Sequence, residues 1–300
     1  MTTNNLPIKY HHPARSTAIG FSAIGLWSAL AVLTKFSGEI PPFELMALSF
    51  SVAFMASTAF LARKGRAGFQ SWKQPVSAWA YSFTGLFVYH ALYFFALRKA
   101  PVAQASLIAY LWPLLIVVFA ATATRSEFKF QHLAGAMLGF FGAVLVVGSG
   151  NENLAHAEGT VWGYAAAVGC AITWSVYSVA NRRFQDVPSD FIGGVCGLVA
   201  VSGACLHLLT EPTVWPAPHQ WIAIVLLGIG PVGLAFMAWD HATKHGHVSL
   251  LGATSYAAPL LSTLLLILFG FVPVRWSLVG AAALIVAGSF IASFRFDSNR

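Results

Sequence analysis

Charge is what this sequence has least of. Only 27 of its 300 residues are charged, 17 basic and 10 acidic, which is 9% where soluble globular domains carry about 25%. Apolar residues reach 57% and mean hydropathy is +0.70. A soluble chain of this size cannot cover its surface with so few charges, so that class is excluded. Cysteine is scarce too. Cys170, Cys196 and Cys205 fall inside apolar stretches without CxxC spacing, so neither a disulfide framework nor a zinc site is indicated. They read as small side chains compatible with lipid. The first 15 residues, MTTNNLPIKYHHPAR, lack the apolar core of a secretory leader. The first apolar run is therefore expected to persist as a membrane span. Long polar loops are missing as well, so any activity is expected among the helices.

The placement of the few charges defines what is there. They leave ten charge-free runs: 16–34, 45–62, 74–97, 100–124, 130–151, 159–181, 191–210, 212–239, 245–274 and 276–294. A bilayer-spanning helix needs about 20 mostly apolar residues, and membrane strands would alternate in polarity over about 10. These runs are apolar throughout, so ten transmembrane helices are expected. If the chain starts on a near face, that face receives 13 basic residues: Lys9, Arg15, Arg63, Lys64, Arg66, Lys73, Arg125, Lys129, Arg182, Arg183, Lys244, Arg295 and Arg300. The far face receives four: Lys35, Arg98, Lys99 and Arg275. The positive-inside rule then makes both termini cytoplasmic. The net charge of +7 is a topology signal spread over short loops, and nucleic acid is not expected as a partner.

Comparing the chain with itself at an offset of 146 residues aligns Pro42-x-Glu44 with Pro188-x-Asp190, Tyr110-x-x-Pro113 with Tyr256-x-x-Pro259, and Gly142 with Gly288. With one residue of slippage Trp27-Ser28 matches Trp174-Ser175. A duplication is expected, with one five-helix unit over 1–150 and a second over 151–300. Five is odd, so the second unit starts on the opposite side and is inverted. Inverted repeats characterise secondary transporters, with the site between the halves near the midplane.

Several residues mark that site. Tyr89 and Tyr93 are i and i+4 in the middle of the third run and share a face. They line a cavity or bond between helices. His90 is an ionisable group at mid-depth, a functional candidate by default; the plainer reading is a neutral histidine bonded to a helix carbonyl. Gln104, Ser106, Tyr110 and Trp112 precede Pro113. A mid-helix proline frees the carbonyl four residues earlier, here Ala109, and Pro259 is expected to free Ser255. Such paired breaks serve gating and can offer carbonyls to an ammonium group. Cys170, Trp174, Tyr177, Ser178 and Asn181 form a stripe with helical spacing, expected to face a polar interior. Trp27, Trp239 and Tyr256 complete a set of aromatic candidates. The 24 phenylalanines read as lipid-facing filler and are not counted. Asp240-His241-x3-His245-x-His247 closes the eighth run. Its His pair has a possible metal spacing, but Asp240 and Lys244 are also i, i+4, and a solvated helix end is the expected reading. Gly135-x3-Gly139 is expected to serve close packing inside a monomer. Glu44 and Asp190 read as charges favoured at helix N-termini.

The segments GLWSALAVLTKFSGEIPPFELMALSF, YHALYFFALRKAPVAQASLIAYLWPLL and ITWSVYSVANRRF, with the small-residue helices AGAMLGFFGAVLVVG and VGAAALIVAGSFIAS, resemble ten-span EamA-type exporters of the drug/metabolite transporter superfamily. Among these the exporters of aromatic amino acids are the nearest likeness. The resemblance implies an all-α inner-membrane protein with two inverted five-helix repeats around a central cavity. Four-span multidrug members of the superfamily carry an acid in span 1. Residues 16–34 have none, which disfavours carboxylate-based proton antiport and cationic substrates.

The expected function is export of aromatic or other neutral amino acids and related small metabolites by alternating access. The candidate substrate-binding residues are Tyr89, His90, Tyr93, Tyr110, Trp112 and Trp174, then Trp27, Tyr177, Ser178, Asn181, Trp239 and Tyr256, with Pro113 and Pro259 as the gating breaks. Aromatic walls suit flat substrates, at about 0.5–1.5 kcal/mol per ring pair. No cofactor or metal is expected, and the chain is read as a monomer in the lipid bilayer. Two alternatives stay open. One is a broad-specificity drug or metabolite exporter on the same fold. The other is an integral membrane metalloenzyme built on the Asp240/His241/His245/His247 cluster.

Overall fold

The structure is a computed structural model that describes residues 12–100, 102–123, 129–148, 160–271, 273–274 and 276–293. Residues 1–11, and with them Lys9, lie outside the described residues, as do Arg125, Arg275, Arg295 and Arg300 of the charge asymmetry. Among the described residues all regular structure is helical, and helix occupies each of the ten charge-free runs. The first half contains α1 (Pro13–Ser28), α2 (Leu30–Phe36), α3 (Pro42–Arg63), α4 (Val76–Phe83), α5 (Tyr89–Lys99), α6 (Val102–Ala109), α7 (Trp112–Ala123) and α8 (Phe130–Gly148). The second contains α9 (Thr160–Ala180), α10 (Ile192–Thr210), α11 (Pro218–Leu227), α12 (Ala235–His245), α13 (Val248–Thr254), α14 (Ala257–Leu268) and α15 (Trp276–Ser293). Seven continuous helical stretches of at least 18 residues are apolar enough to cross a bilayer, and Trp112–Ala123, Phe130–Leu145 and Val279–Ala292 are shorter apolar helices.

The helices break where the sequence withholds backbone donors. α6 gives way to α7 at Tyr110–Leu111, just before Pro113, and α13 gives way to α14 at Ser255–Tyr256, just before Pro259. Each break tightens into short-range bonds: Leu111 N–H donates to the Ile108 carbonyl (3.1 Å) and Ala258 N–H to the Ser255 carbonyl (3.0 Å). The Ser255 carbonyl is therefore not left free as the sequence suggested, because the turn contracts and supplies a donor three residues on. Two further defects have no proline at the matching position in both halves. Thr84–Val88 joins α4 to α5 as a π-helical turn, and Gly228–Leu234, which contains Pro231, joins α11 to α12 in the same way. Such turns interrupt the regular ladder inside a continuous helix.

Lipid is as apolar as leucine, so helices in a bilayer associate through close packing and polar contacts. Small residues provide the first. α8 packs on α15, where a Cβ on Gly142 would lie 2.6 Å from Ile285, and a Cβ on Gly139 would lie 2.6 Å from the Tyr256 ring. The Gly135/Gly139 pair thus serves packing within the chain. α3 lies along α10, α1 along α12 and α5 along α9. On the far face the α3–α10 pair is fastened by acids. The Glu211 carboxylate accepts from Phe43 N–H (3.1 Å) and Glu44 N–H (3.2 Å), which closes the first turn of α3. Glu44 in turn accepts from Val214 N–H (2.9 Å), and His207 lies beside Glu211 (3.2 Å). Asp190, the matching position, instead pairs in the open with Lys64 (3.1 Å).

The near face holds the largest departure from expectation. The end of α12 is not solvated: Asp240 is fully buried and Lys244 nearly so. Their ion pair measures 2.7 Å. Lys244 Nζ also donates to the Val187 carbonyl (2.9 Å), and Asn181 Nδ2 donates to the Asp240 carbonyl and carboxylate (both 3.1 Å) and to Thr243 Oγ1 (2.9 Å). These bonds tie α12 to the turn between α9 and α10. Around them Ser16 meets His241 (3.2 Å), Thr17 Oγ1 accepts from His247 N–H (2.9 Å) and Arg182 donates to the Gly246 carbonyl (2.7 Å). Removing one partner of a buried pair costs about 3–5 kcal/mol, while replacing both by apolar or neutral groups costs far less. Lys244→Met is therefore expected to lower the melting temperature of the purified protein markedly, and the Asp240→Asn/Lys244→Met double variant to recover part of the loss. Thermal unfolding in detergent, followed by tryptophan fluorescence, checks both; an unchanged Lys244→Met midpoint would contradict the assignment.

Candidate functional site

The site grows from one helical stripe. Cys170, Trp174, Tyr177, Ser178 and Asn181 recur with helical spacing along α9 and its continuation, and all are buried. Trp174 meets three tryptophans from other helices: Trp27 of α1, Trp112 at the start of α7 and Trp239 of α12. Every pair among the four is in ring contact, at centroid separations from 5.1 to 6.5 Å. The break before Pro113 delivers Trp112 to this cluster, and its carbonyl accepts from Ser175 Oγ–H at 2.9 Å.

Buried indoles need hydrogen-bond acceptors. Trp239 Nε1–H donates to Ser178 Oγ (3.0 Å), and Trp27 Nε1–H donates to the Pro231 carbonyl (3.0 Å). The second acceptor lies in the Gly228–Leu234 π-turn, where a regular helical ladder would have used it. A backbone defect and a tryptophan thus satisfy each other across the two halves.

Around this box the structure brings together most of the residues named from sequence. Tyr89 tilts against Trp174 (5.1 Å) and lies parallel to Tyr93 (6.2 Å, 7°). Tyr93 Oη reaches Ser106 Oγ at 3.4 Å. Tyr110 sits in the break between α6 and α7. His90 Nδ1 lies 2.6 Å from the Leu86 carbonyl. A carbonyl only accepts, so Nδ1 carries the proton and donates it. This is the helix-carbonyl bond that the plainer reading of His90 anticipated. Its ring stands perpendicular to Phe50 (5.2 Å) and Phe236 (5.7 Å).

Exposure is graded along the box. Trp27, Tyr89, His90, Tyr93 and Tyr110 keep part of their surface open, while Trp112, Trp174, Tyr177, Ser178, Asn181 and Trp239 are buried. The buried end rests on the near-face network: Tyr177 Oη–H donates to Asp240 Oδ1 (3.4 Å), and Asn181 belongs to the same layer. Tyr256 is not part of this assembly. It packs with Phe140 in a separate cluster of α7, α8, α13, α14 and α15. Pro113 and Pro259 are buried directly after their breaks.

Three contributors were missed from sequence. Phe50 and Phe236 stack on each other (5.9 Å, 27°), and Phe236 also contacts Trp27 and Trp174. Discounting phenylalanine as lipid-facing overlooked them, since an apolar ring carries no polar mark to distinguish wall from filler. Tyr81 stacks on Tyr177 (5.4 Å, 30°) and donates to its carbonyl. Its spacing to Tyr89 and Tyr93, at i, i+8 and i+12, is the signal that would have found it.

A model of the EamA-like transporter family matches residues 16–148 and again 161–294. The chain is 47% identical over 278 residues to a protein of Ancylobacter novellus named aromatic amino acid exporter YddG, covering 93% of this chain and 96% of that one. It is 22% identical over 292 residues to the Escherichia coli protein of the same name, covering 92% and 96%. A solved crystal structure of a chain 46% identical superposes with a TM-score of 0.89 over 94% of this chain and 97% of that one.

The packing separates ring from hydrogen bond. Trp239→Phe keeps an aromatic ring but strips Ser178 of its donor, and is expected to cost about 1–3 kcal/mol. Trp239→Ala empties the box and is expected to cost about 3–5 kcal/mol. Denaturant unfolding in micelles checks the order, and equal losses would place the stabilisation in the hydrogen bond alone.

Proposed function

The chain belongs to the EamA-like transporter family, and on that premise we propose that it exports aromatic amino acids, with the tryptophan box as their binding site. Its family and relatives are transporters and not enzymes, and it is a multi-pass protein of the inner membrane. The observation that carries the substrate class is the mutual ring contact of Trp27, Trp112, Trp174 and Trp239 beside half-open Tyr89, Tyr93 and Tyr110. This surface is aromatic and hydroxylic, with the imidazole of His90 beside Tyr89 at its edge. It suits a net-neutral zwitterion with a flat side chain, whose polar end the tyrosine hydroxyls meet.

The transport cycle is alternating access between two inverted five-helix repeats, residues 1–150 and 151–300, with ten spans and both termini cytoplasmic. Reciprocal packing supports this reading. The first helical stretch lies on the eighth and the third on the sixth, and the second pairs with the seventh as the fifth does with the tenth. The paired breaks at 110–111 and 255–256 and the paired π-turns support it too, since they provide equivalent hinges. The partial exposure of Trp27, Tyr89, Tyr93 and Tyr110, against the buried network around Asp240, supports the reading of an outward-facing state. Opening inward requires the contacts of Ser16 with His241, Thr17 with His247 and Lys64 with Asp190 to part while the Asp240–Lys244 clamp inside the second repeat stays intact. The unit that does this is a monomer.

Flux is facilitated diffusion. Asp240 is neutralised by Lys244 and residues 16–34 carry no acid, so neither position supplies a free carboxylate to carry protons across.

In proteoliposomes, Trp174→Ala and Trp112→Ala are expected to lower tryptophan and phenylalanine flux about tenfold each, since two ring pairs are worth about 1–3 kcal/mol. Unchanged flux, or equal competition by aliphatic amino acids, would overturn the aromatic site and favour a broad-specificity exporter. Initial rates with and without a pH gradient are expected to match; gradient-driven accumulation would disprove facilitated diffusion. For topology, Glu39→Cys is expected to react with an impermeant thiol reagent from outside the cell and Arg66→Cys only after the membrane is opened.

A further inference from the structure

The far-face end of α5 carries a second feature that the aromatic site does not use. A cleft of ≈ 660 Å³ opens between α5, α3 and α10. Val88, Ala91, Leu92 and Phe95 line it with the i, i+3, i+4, i+7 spacing of one helix face, opposite Phe43 and Leu206. That face is distinct from the one bearing Tyr89 and Tyr93. Its upper rim is formed by Arg98 and Lys99, both exposed. Among the described residues neither has an ion-pair or hydrogen-bond partner. They are two of only four basic residues that the topology assigns to the far face, where the positive-inside bias works against them.

Dimensions identify an occupant. From Val88 to Arg98 the helix rises about 15 Å at 1.5 Å per residue, which is about half the ~30 Å hydrocarbon core. The cleft therefore runs the depth of one leaflet, apolar for its length and cationic where phospholipid headgroups lie. We propose that it is a binding site for an anionic phospholipid of the far leaflet, with one acyl chain in the cleft and the phosphate on Arg98 and Lys99. The site rests on the chain's place in the membrane and not on the identity of its cargo. A bound chain would also fill the gap between α5, which carries Tyr89 and Tyr93, and the α3–α10 pair.

The test uses the full chain reconstituted in nanodiscs of equimolar phosphatidylglycerol and phosphatidylcholine, then extracted and analysed for retained lipid by mass spectrometry. Phosphatidylglycerol is expected to be enriched over phosphatidylcholine. R98Q/K99Q, two exposed changes, is expected to lower that enrichment about tenfold. Ala91→Phe fills the cleft but leaves both cations, and is expected to reduce retention of both lipids. Three results would each overturn the proposal: no enrichment in the parent protein; enrichment unaffected by R98Q/K99Q, which leaves these residues only their favourable place at a helix C-terminus; or displacement of the lipid by inorganic phosphate or by L-tryptophan. Displacement by phosphate would mark a free-anion site, and displacement by tryptophan would assign the cations to the export path.

Discussion

A buried ion pair fixes the geometry on which the aromatic box depends. Taking Asp240 and Lys244 out of water costs several kcal/mol per ion, and their attraction repays it only when the remaining valences are filled. Here they are filled by Val187, Asn181 and Tyr177. Those partners lie on or just beyond α9, so satisfying the pair sets α12 against α9 at one rotation and one height. Trp239 precedes Asp240 by one residue, and Trp174 precedes Tyr177 by less than a turn. Their stacked separation of 6.3 Å follows from the charged layer beneath. In a chain with so few charges, two have been spent on rigidity within one half.

The rest of the box is assembled by defects. Regular helices would present their carbonyls only to themselves. The π-turn at Gly228–Leu234 offers Pro231 to Trp27, and the break at Tyr110–Leu111 brings in Trp112 and leaves its carbonyl to Ser175. Each of these two irregularities is satisfied by a residue of the opposite half of the chain. At the box the bonds that join the halves are single and neutral, whereas toward the ends of the bundle the halves meet through carboxylates, at Glu211 and Glu44 on one face and at Lys64–Asp190 on the other.

Much of this was legible in the sequence, for reasons that differ by residue. The charge-free runs located the helices, because a charge in lipid is expensive wherever it lies. The α9 stripe was visible because Trp174, Tyr177, Ser178 and Asn181 are polar interruptions in an apolar background. Prolines 113 and 259 marked their breaks through a missing N–H. The π-turns left no such mark in the first half, where only Gly85, pressed against Tyr177, hints at one. Phe50 and Phe236 look like any lipid-facing phenylalanine. Tyr256 matched Tyr110 in register, yet its ring packs against Phe140 and Gly139 of α8, so equivalent positions in a repeat need not face the same space. Asp240 was visible as a charge but not as a buried one, since burial depends on Asn181 and Val187, which are far from it in sequence.

The closure of α3 by Glu211 has a consequence for how the molecule is made. The donors of Phe43 and Glu44 are satisfied by a carboxylate 168 and 167 residues further along the chain. At about 5–20 residues per second, synthesis reaches Glu211 on the order of ten to thirty seconds after α3. Until then α3 must hold its place in the membrane with an open first turn, exposed to headgroup water. The first half therefore enters the bilayer unfinished, and arrival of the second half completes it.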